Sequence, residues 1–235
     1  MDELADSSPV LHEPAILRGR LAESGYLFFR GLAKSGCTPA AGPGRNAVML
    51  RGELAGLRAR HDSDIPVLHA GLYDDVATRV RADSRPWQPI PPGPASPYRV
   101  AGPDDRVAHF SVVELATGEL AGEALLWSID PHNRAGHVGI SLLPAFRGRG
   151  LGTDVVQVLC HYGFALRGLQ RLQVETLADN DAMIATAAAA GFVREGTLRR
   201  SAWVSGEFAD EVILGLLAAE WKRRSPGAGM SRAGS

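Results

Sequence analysis

The chain has 235 residues, and its 25 Lys and Arg against 26 Asp and Glu give a formal net charge of −1. This balance argues against an extended polyanion-binding surface, so the sequence predicts no nucleic-acid partner. The two cysteines, Cys37 and Cys160, are too few for a disulfide framework or a four-cysteine zinc site, and we expect no bound metal.

Changes in composition near both ends of the chain predict its domain boundaries. A Pro/Gly/Ala-rich stretch at residues 37–45 separates an N-terminal leader, residues 1–46, from a domain at residues 47–221. Residues 222–235 are rich in Gly, Ser and Arg, which predicts a disordered tail. The chain starts with acidic residues and has no apolar run of about 18 residues, so we expect a cytoplasmic protein without membrane contact.

The first half of the domain predicts a strand or hairpin, two short helices and a stiff loop. The strand or hairpin spans residues 48–60, and the helices span residues 65–73 and 74–82. Asp62, Ser63 and Asp64 precede the first helix as candidate N-caps. Residues 84–103 carry seven of the fifteen prolines, and we expect this loop, through Trp87 and Tyr98, to border a substrate pocket.

The second half alternates strands with helices. Predicted strands cover residues 107–115, 119–129, 137–144, 171–177, 192–204 and 211–217, and predicted helices begin at Thr153 and span residues 181–190. Turns at Thr117-Gly118 and Ser205-Gly206 join two of the strand pairs as hairpins. This order predicts an α/β fold built on a mixed sheet.

An Arg/Gly-rich turn, RGRGLG, lies between the strand at 137–144 and the helix that follows. Its glycines, Gly148, Gly150 and Gly152, allow sharp turns and close approach of a ligand, and the helix N-terminus attracts an anion such as a pyrophosphate. Thr153 replaces the third glycine of a dinucleotide-binding motif. A P-loop is excluded as well, because no lysine follows these glycines.

The turn at residues 147–152 resembles the acetyl-CoA signature of the GCN5-related N-acetyltransferase (GNAT) superfamily, and residues 169–200 resemble a second block of it. Across about residues 48–221 the chain is most similar to the RimJ/RimL-like branch. The resemblance implies the GNAT fold, a mixed and mostly antiparallel central sheet flanked by helices, with acetyl-CoA as cosubstrate. Residues 14–34 resemble the start of phytanoyl-CoA dioxygenase-like proteins, but no H-x-D or H-x-E iron-binding pair is present.

The family resemblance also implies which residues hold CoA. The backbone groups of Leu142 and Leu143 would bind the pantetheine arm, and backbone amides of residues 149–152 would bind the pyrophosphate. Arg147 and Arg149 would supply charge, Thr153 a hydroxyl, and Asn180 a further contact. Asn180 is equally suited to be a helix N-cap, and the two roles are compatible. The implied cofactor-binding residues are Leu142, Leu143, Arg147, Gly148, Arg149, Gly150, Leu151, Gly152, Thr153 and Asn180.

Three residues are candidates for the base that deprotonates the acceptor amine. Glu175 lies in a mainly apolar strand, where related enzymes carry a catalytic Glu. His137 lies where the family often has Glu, and imidazole titrates in the useful range. Glu123 is the third candidate. Each has a structural alternative, because a polar residue on the wet face of a strand needs no catalytic role.

Several positions depart from the family pattern. The frequent Tyr acid is replaced by Ala187, and the Ser and Glu of RimL-like members by Met183 and Ala202. We expect an N-acetyltransferase that moves an acetyl group to a primary amine by direct attack in a ternary complex. A small-molecule amine is favoured over a protein N-terminus, and a homodimer is compatible with this interpretation. The alternative is an acyl-CoA-binding module without turnover.

Overall fold

The computed structural model describes residues 47–83 and 85–224, which contain one eight-stranded sheet and five α-helices. The strands are β1 (Leu50–Arg51), β2 (Ala55–Arg58), β3 (Ala108–Glu114), β4 (Leu120–Asp130), β5 (Ala135–Leu142), β6 (Arg171–Leu177), β7 (Val193–Val204) and β8 (Glu207–Leu217). The helices are α1 (Ile65–Leu72), α2 (Val76–Ala82), α3 (Leu151–His161), α4 (Asp181–Ala190) and α5 (Ala218–Arg224). The predicted leader, its oxygenase-like segment and residues 225–235 lie outside the described residues.

The sheet has the strand order β1-β2-β3-β4-β5-β6-β8-β7. Every neighbouring pair is antiparallel except β5 and β6, which run parallel and are joined through α3. A parallel pair needs such a crossover, because its connection must return along the sheet. The predicted fold class, a mixed and mostly antiparallel sheet flanked by helices, is confirmed.

Helical segments cover both faces of the sheet. Ser111 of β3 donates to Asp64, in the 3-10 turn that leads into α1, while Leu126 of β4 lies close to Gly163 at the end of α3. The β3–β4 register and strand alternation place Ser111 and Leu126 on opposite faces. The core therefore fills two layers, one on each face of the sheet. None of the described helices is long and apolar enough to span a membrane.

Most predicted elements of the domain are present with small shifts at their ends. The predicted first strand is the β1–β2 hairpin, and α4 has the predicted bounds, ending at the left-handed Gly191. Helix α3 starts at Leu151 rather than Thr153. Helix α5 continues to Arg224, beyond the predicted end of the domain at Trp221. Trp221 of α5 packs against the Phe164 ring, which gives this unpredicted helix a place on the core.

The predicted capping role of Asp62, Ser63 and Asp64 was also wrong. These residues form a 3-10 turn, and no side chain among them caps α1. The Asp64 carboxylate instead accepts two hydrogen bonds from Arg58, at 2.6 and 2.8 Å, inside the protein. A buried guanidinium needs such a partner more than a helix end with access to water does.

Candidate functional site

Strands β5 and β6 pair only at their first residues and then separate. Their register covers three rungs, the last of which joins His137 to Gln173, although β5 continues to Leu142 and β6 to Leu177. Beyond that rung β5 stays paired with β4, and β6 stays paired with β8. A wedge-shaped gap therefore opens in the sheet and widens over about 17 Å of strand, toward the loop before α3.

That loop presents a row of free backbone donors at the wide end of the gap. Gly148 and Gly150 have φ angles of +70° and +81°, which side-chain-bearing residues rarely adopt, so the chain turns sharply into α3. Across residues 148–153, no backbone N–H is bonded to another group in the described part of the chain. Together with the positive end of the helix dipole, these N–H groups form a site suited to an anion.

Gly152 lies beside these donors and could carry a side-chain carbon without a clash. A Cβ at this position would lie 3.6 Å from the nearest atoms of Ile140 in β5 and Thr186 in α4, an ordinary contact distance. Its φ angle is not positive, so neither packing nor backbone conformation of the protein requires glycine here. The absence of a side chain at Gly152 therefore leaves the backbone donors at the start of α3 uncovered on the side of β5 and α4.

The two leucines predicted to bind pantetheine differ in the direction of their backbone hydrogen bonds. Leu143 donates its N–H to Ala121 and accepts from Phe146, so both of its backbone groups are engaged inside the protein, contrary to the expectation. Strand alternation then turns the N–H and C=O of Leu142 away from β4, toward the gap. Ile140 shares that orientation, and no sequence pattern predicted it as a site residue.

The two arginines of the loop are each held by the protein. Arg147 donates from Nε to the carbonyl of Leu142 at 2.9 Å and is exposed. Arg149 forms an ion pair with the buried Glu114 carboxylate of β3 and lies over the Phe146 ring. Arg149 thus faces β3 in this structure, and the donors of the loop that remain free in the described chain are its backbone amides and the terminal nitrogens of Arg147.

Both polar atoms of the Asn180 side-chain amide make hydrogen bonds within the protein. Its Oδ1 accepts from the Met183 N–H as the N-cap of α4, and its Nδ2 donates to Thr176 at 2.9 Å. The capping role is therefore what the structure contains. Thr153, in the first turn of α3, is partly buried, and its hydroxyl makes no hydrogen bond within the described chain.

Two of the three candidate bases meet at the narrow end of the gap. The Nδ1 atom of His137 lies 3.6 Å from Oε1 of Glu175, and that same oxygen accepts from Nε2 of Gln173 at 2.6 Å. The His137 ring packs on Trp127 of β4 with 4.5 Å between ring centroids. Burial lowers the pKa of His137, and the Glu175 carboxylate opposes this shift.

Glu123 is not part of this cluster. It lies four residues from Trp127 along β4, about 13 Å away, and its carboxylate accepts from Arg60 at 2.8 Å in the protein interior. The predicted role of Tyr98 at a pocket was wrong, because this side chain is 1% exposed and belongs to the core. Trp87 is partly buried and donates to the Tyr73 carbonyl. No group of three potential metal ligands occurs among residues 47–83 and 85–224.

Comparison with known proteins finds proteins named as N-acetyltransferases among the relatives of this chain. The chain is 31% identical over 108 residues to the Bacillus subtilis protein named "Putative ribosomal N-acetyltransferase YdaF", an alignment that covers 46% of this chain and 59% of YdaF. It is 25% identical over 121 residues to spermidine N(1)-acetyltransferase of Vibrio cholerae, covering 52% of this chain and 70% of that protein. The chain thus spans about three fifths of the length of YdaF.

The fold has a counterpart among solved structures. The crystal structure of spermidine N-acetyltransferase from Vibrio cholerae in complex with CoA and spermine superposes with a TM-score of 0.60 at 18% identity. That superposition covers 72% of this chain and 98% of the other. The model of the acetyltransferase (GNAT) domain family matches residues 56–193, more than half of the sequence. The chain therefore belongs to the GNAT acetyltransferase family.

Proposed function

We propose that this protein transfers an acetyl group from acetyl-CoA to a primary amine. The observation that carries the proposal is the wedge between β5 and β6, which joins the free amides of residues 148–153 to the His137–Glu175 contact. The loop would bind the pyrophosphate, and the pantetheine arm would extend along β5 and bring the thioester to the narrow end. The matching GNAT family supports this assignment.

Within this proposal the CoA contacts are divided among backbone groups. The amides of residues 149–152 bind the pyrophosphate, and Leu142, with Ile140, offers the strand edge that pantetheine would use. Arg147 stands at the mouth of the gap, where its guanidinium can reach a phosphate while remaining exposed. The amides act on the ligand without reorganisation, because the glycine turns already fix them.

We infer direct attack by the amine, without an acetylated enzyme intermediate. Cys160, the cysteine within the described residues, is buried, and burial raises the pKa of its thiol to about 12. A thiol in that state is a poor nucleophile. Proximity of the bound amine and the thioester then supplies much of the rate, because two reactants held together react as one molecule.

A small-molecule amine is the favoured acceptor, ahead of a protein N-terminus. The similarity to spermidine N(1)-acetyltransferase of Vibrio cholerae supports the first class, and the similarity to YdaF supports the second and the RimJ/RimL-like resemblance. The test is thiol release from acetyl-CoA by the full chain with two acceptor pools, polyamines with other small amines, and short peptides with open N-termini. Release with one pool assigns that class.

Lack of thiol release with both acceptor pools would contradict acetyl transfer to either class of amine. If acetyl-CoA nevertheless raised the melting temperature, as a ligand of the folded state must, the chain would be an acyl-CoA-binding module without turnover. The missing Tyr at Ala187 is the feature that favours this alternative, since the side chain there is a buried methyl group.

The remaining expectations stay predictions. We propose residues 47–221 as the catalytic domain and residues 1–46 as an accessory leader, which comparison of the full chain with a variant lacking residues 1–45 would test. A homodimer is tested by light scattering of the full chain. The cytoplasmic location, and the lack of nucleic-acid and membrane partners, are likewise predictions from composition.

A further inference from the structure

The contact between His137 and Glu175 assigns different tasks to the two residues. Nδ1 of His137 is buried and makes no hydrogen bond, while the nearest carboxylate oxygen, Oε1 of Glu175, lies 3.6 Å away. Burying an N–H group without an acceptor costs free energy. The Glu175 carboxylate is the nearest acceptor for a proton on Nδ1, so a shorter contact between the two groups would stabilise that proton. Hydrogen bonds of catalytic groups are often this long before substrate binds.

The other nitrogen of the ring has different surroundings. Nε2 of His137 makes no hydrogen bond to the described residues, and it is not among the buried polar atoms without a partner. With the proton on Nδ1, the lone pair of the imidazole lies on Nε2, the nitrogen that remains reachable. Trp127 supports the ring from β4, so its plane is fixed by packing.

Glu175 is held in place from its own strand. Gln173 donates to its Oε1 at 2.6 Å, and the Glu175 side chain is about one third exposed. The charged groups that act on the His137 imidazole are Glu175 and Arg171, both in β6, whereas its β4 neighbour Trp127 is uncharged. This arrangement is that of a carboxylate orienting a histidine.

We propose that His137 is the general base for acetyl transfer and that Glu175 acts through it as a positioning residue. The inference rests on the proposed function. As the amine nitrogen bonds to the thioester carbon, Nε2 takes one proton from that nitrogen. The C–S bond breaks, and its electron pair leaves with the sulfur as CoA thiolate. The proton on Nε2 then passes to the thiolate, directly or through water, which regenerates the neutral imidazole and yields CoA and the N-acetylated amine.

The test compares His137→Gln, Glu175→Gln and the double variant by steady-state kinetics with the best acceptor. We expect His137→Gln to lower kcat/KM for the amine by about 10²- to 10⁴-fold, as loss of a general base does. Glu175→Gln should cost about 10- to 100-fold, the range for a residue that orients a histidine in metal sites. The double variant should be no slower than His137→Gln, because Glu175 acts only through the histidine.

Matched variants and a second readout separate this role from folding. His132→Gln and Glu119→Gln, at exposed turn positions, should keep the wild-type rate, and all variants should keep acetyl-CoA affinity. Nitrogen NMR of the imidazoles, with His137→Gln as the assignment control, should find the proton of neutral His137 on Nδ1. In Glu175→Gln the pKa of His137 should fall, because the carboxylate that opposes the effect of burial is gone.

Three results would overturn the proposal. A larger loss in Glu175→Gln than in His137→Gln would make Glu175 the base, and additive losses in the double variant would mean independent roles. A neutral His137 protonated on Nε2 would remove the pairing, whatever the kinetics. Lack of turnover by the folded wild-type chain would instead refute the proposed function and with it the role of the base, while the NMR result would still report on the pair.

Discussion

The carboxylate of Asp154, in the first turn of α3, accepts the backbone N–H of Ala55 at 2.8 Å. The same carboxylate accepts from Glu53 and Leu54, and a Cβ on Gly52 would collide with it. One side chain therefore fastens α3, the helix that follows the glycine-rich loop, to the β1–β2 turn. The position of the loop amides depends on this contact.

We expect Asp154→Asn to lower the free energy of unfolding by about 2–3 kcal/mol, because an amide replaces a charged acceptor of three hydrogen bonds in a buried site. Urea unfolding monitored by circular dichroism measures this change. Asp181→Asn is the matched control, since Asp181 is exposed in the first turn of α4. Equal stability of the two variants would contradict the role of Asp154.

The Gly152→Ala variant is expected to weaken acetyl-CoA binding without lowering the stability of the protein. A Cβ here has ordinary contacts within the protein, so the melting temperature should stay the same or rise slightly, as for other Gly to Ala changes in helices. The affinity for acetyl-CoA should fall at least about tenfold, equivalent to about 1.4 kcal/mol, because the methyl group occupies space proposed for the ligand. Calorimetric titration measures the affinity.

Gly196→Ala is the control for that titration. Gly196 lies in β7, has no positive φ angle, and a Cβ there would meet nothing within 4 Å. We expect this variant to bind acetyl-CoA like the wild-type chain. Unchanged affinity in Gly152→Ala as well would remove the space beside α3 from the proposed site.

The buried pair of Asp64 and Arg58 predicts an acid-dependent loss of stability. Burial tends to raise the pKa of Asp64, but hydrogen bonds from Arg58, His61 and Ser111 outweigh it and hold the pKa below 3.8. The unfolded chain therefore takes up the proton first as the pH falls. The contribution of Asp64 to stability is complete above about pH 4 and is lost below it, toward the pKa of the folded state.

We expect Asp64→Asn to be less stable than the wild-type chain by about 3–5 kcal/mol at pH 6, since it leaves Arg58 without its buried partner. The difference should shrink at pH 3, and urea unfolding at both pH values measures it. The neighbouring exposed Asp62 supplies the control, Asp62→Asn, with little effect at either pH. A difference for Asp64→Asn that does not change with pH would refute the assignment.

Cys160 should resist thiol reagents until the protein unfolds. Its side chain is 1% exposed, and burial raises the pKa of the thiol to about 12, so thiolate is scarce at pH 8. In a Cys37→Ser background, a thiol reagent should label less than one tenth of the folded protein and all of it in urea. Cys160→Ala should keep most of the acetyl transfer activity. Rapid labelling of the folded protein would reopen the route through an acetylated cysteine.

The sequence predicted the order of elements because hydrophobic periodicity and turn residues act locally. Four glycines adopt positive φ angles that other residues rarely tolerate, so each marks a turn or helix end from the local sequence alone: Gly118, Gly148, Gly150 and Gly191. These features correctly predicted a sharp glycine turn before α3, and the anion site at that turn stays a prediction. They also placed His137 and Glu175 on separate strands.

Contacts between residues that are far apart in the sequence could not be predicted from these local patterns. An Asp in the first turn of a helix reads as a residue favoured by the helix dipole, and nothing near Asp154 reveals that its partners precede it by about 100 residues. The pairing of Arg149 with Glu114 depends on the sheet register in the same way. The closeness of His137 and Glu175 follows from the last rung of the β5–β6 pairing, which no local pattern encodes.

The most direct test of the central claim is a product balance. The full chain is incubated with acetyl-CoA labelled in the acetyl group and with a primary amine, and the acetylated amine and the free CoA thiol are both quantified. We predict equal amounts of the two, with none of either above background when the amine or the protein is omitted, and no label on the protein. Bound acetyl-CoA that yields neither product with any amine or peptide would contradict the proposed transfer.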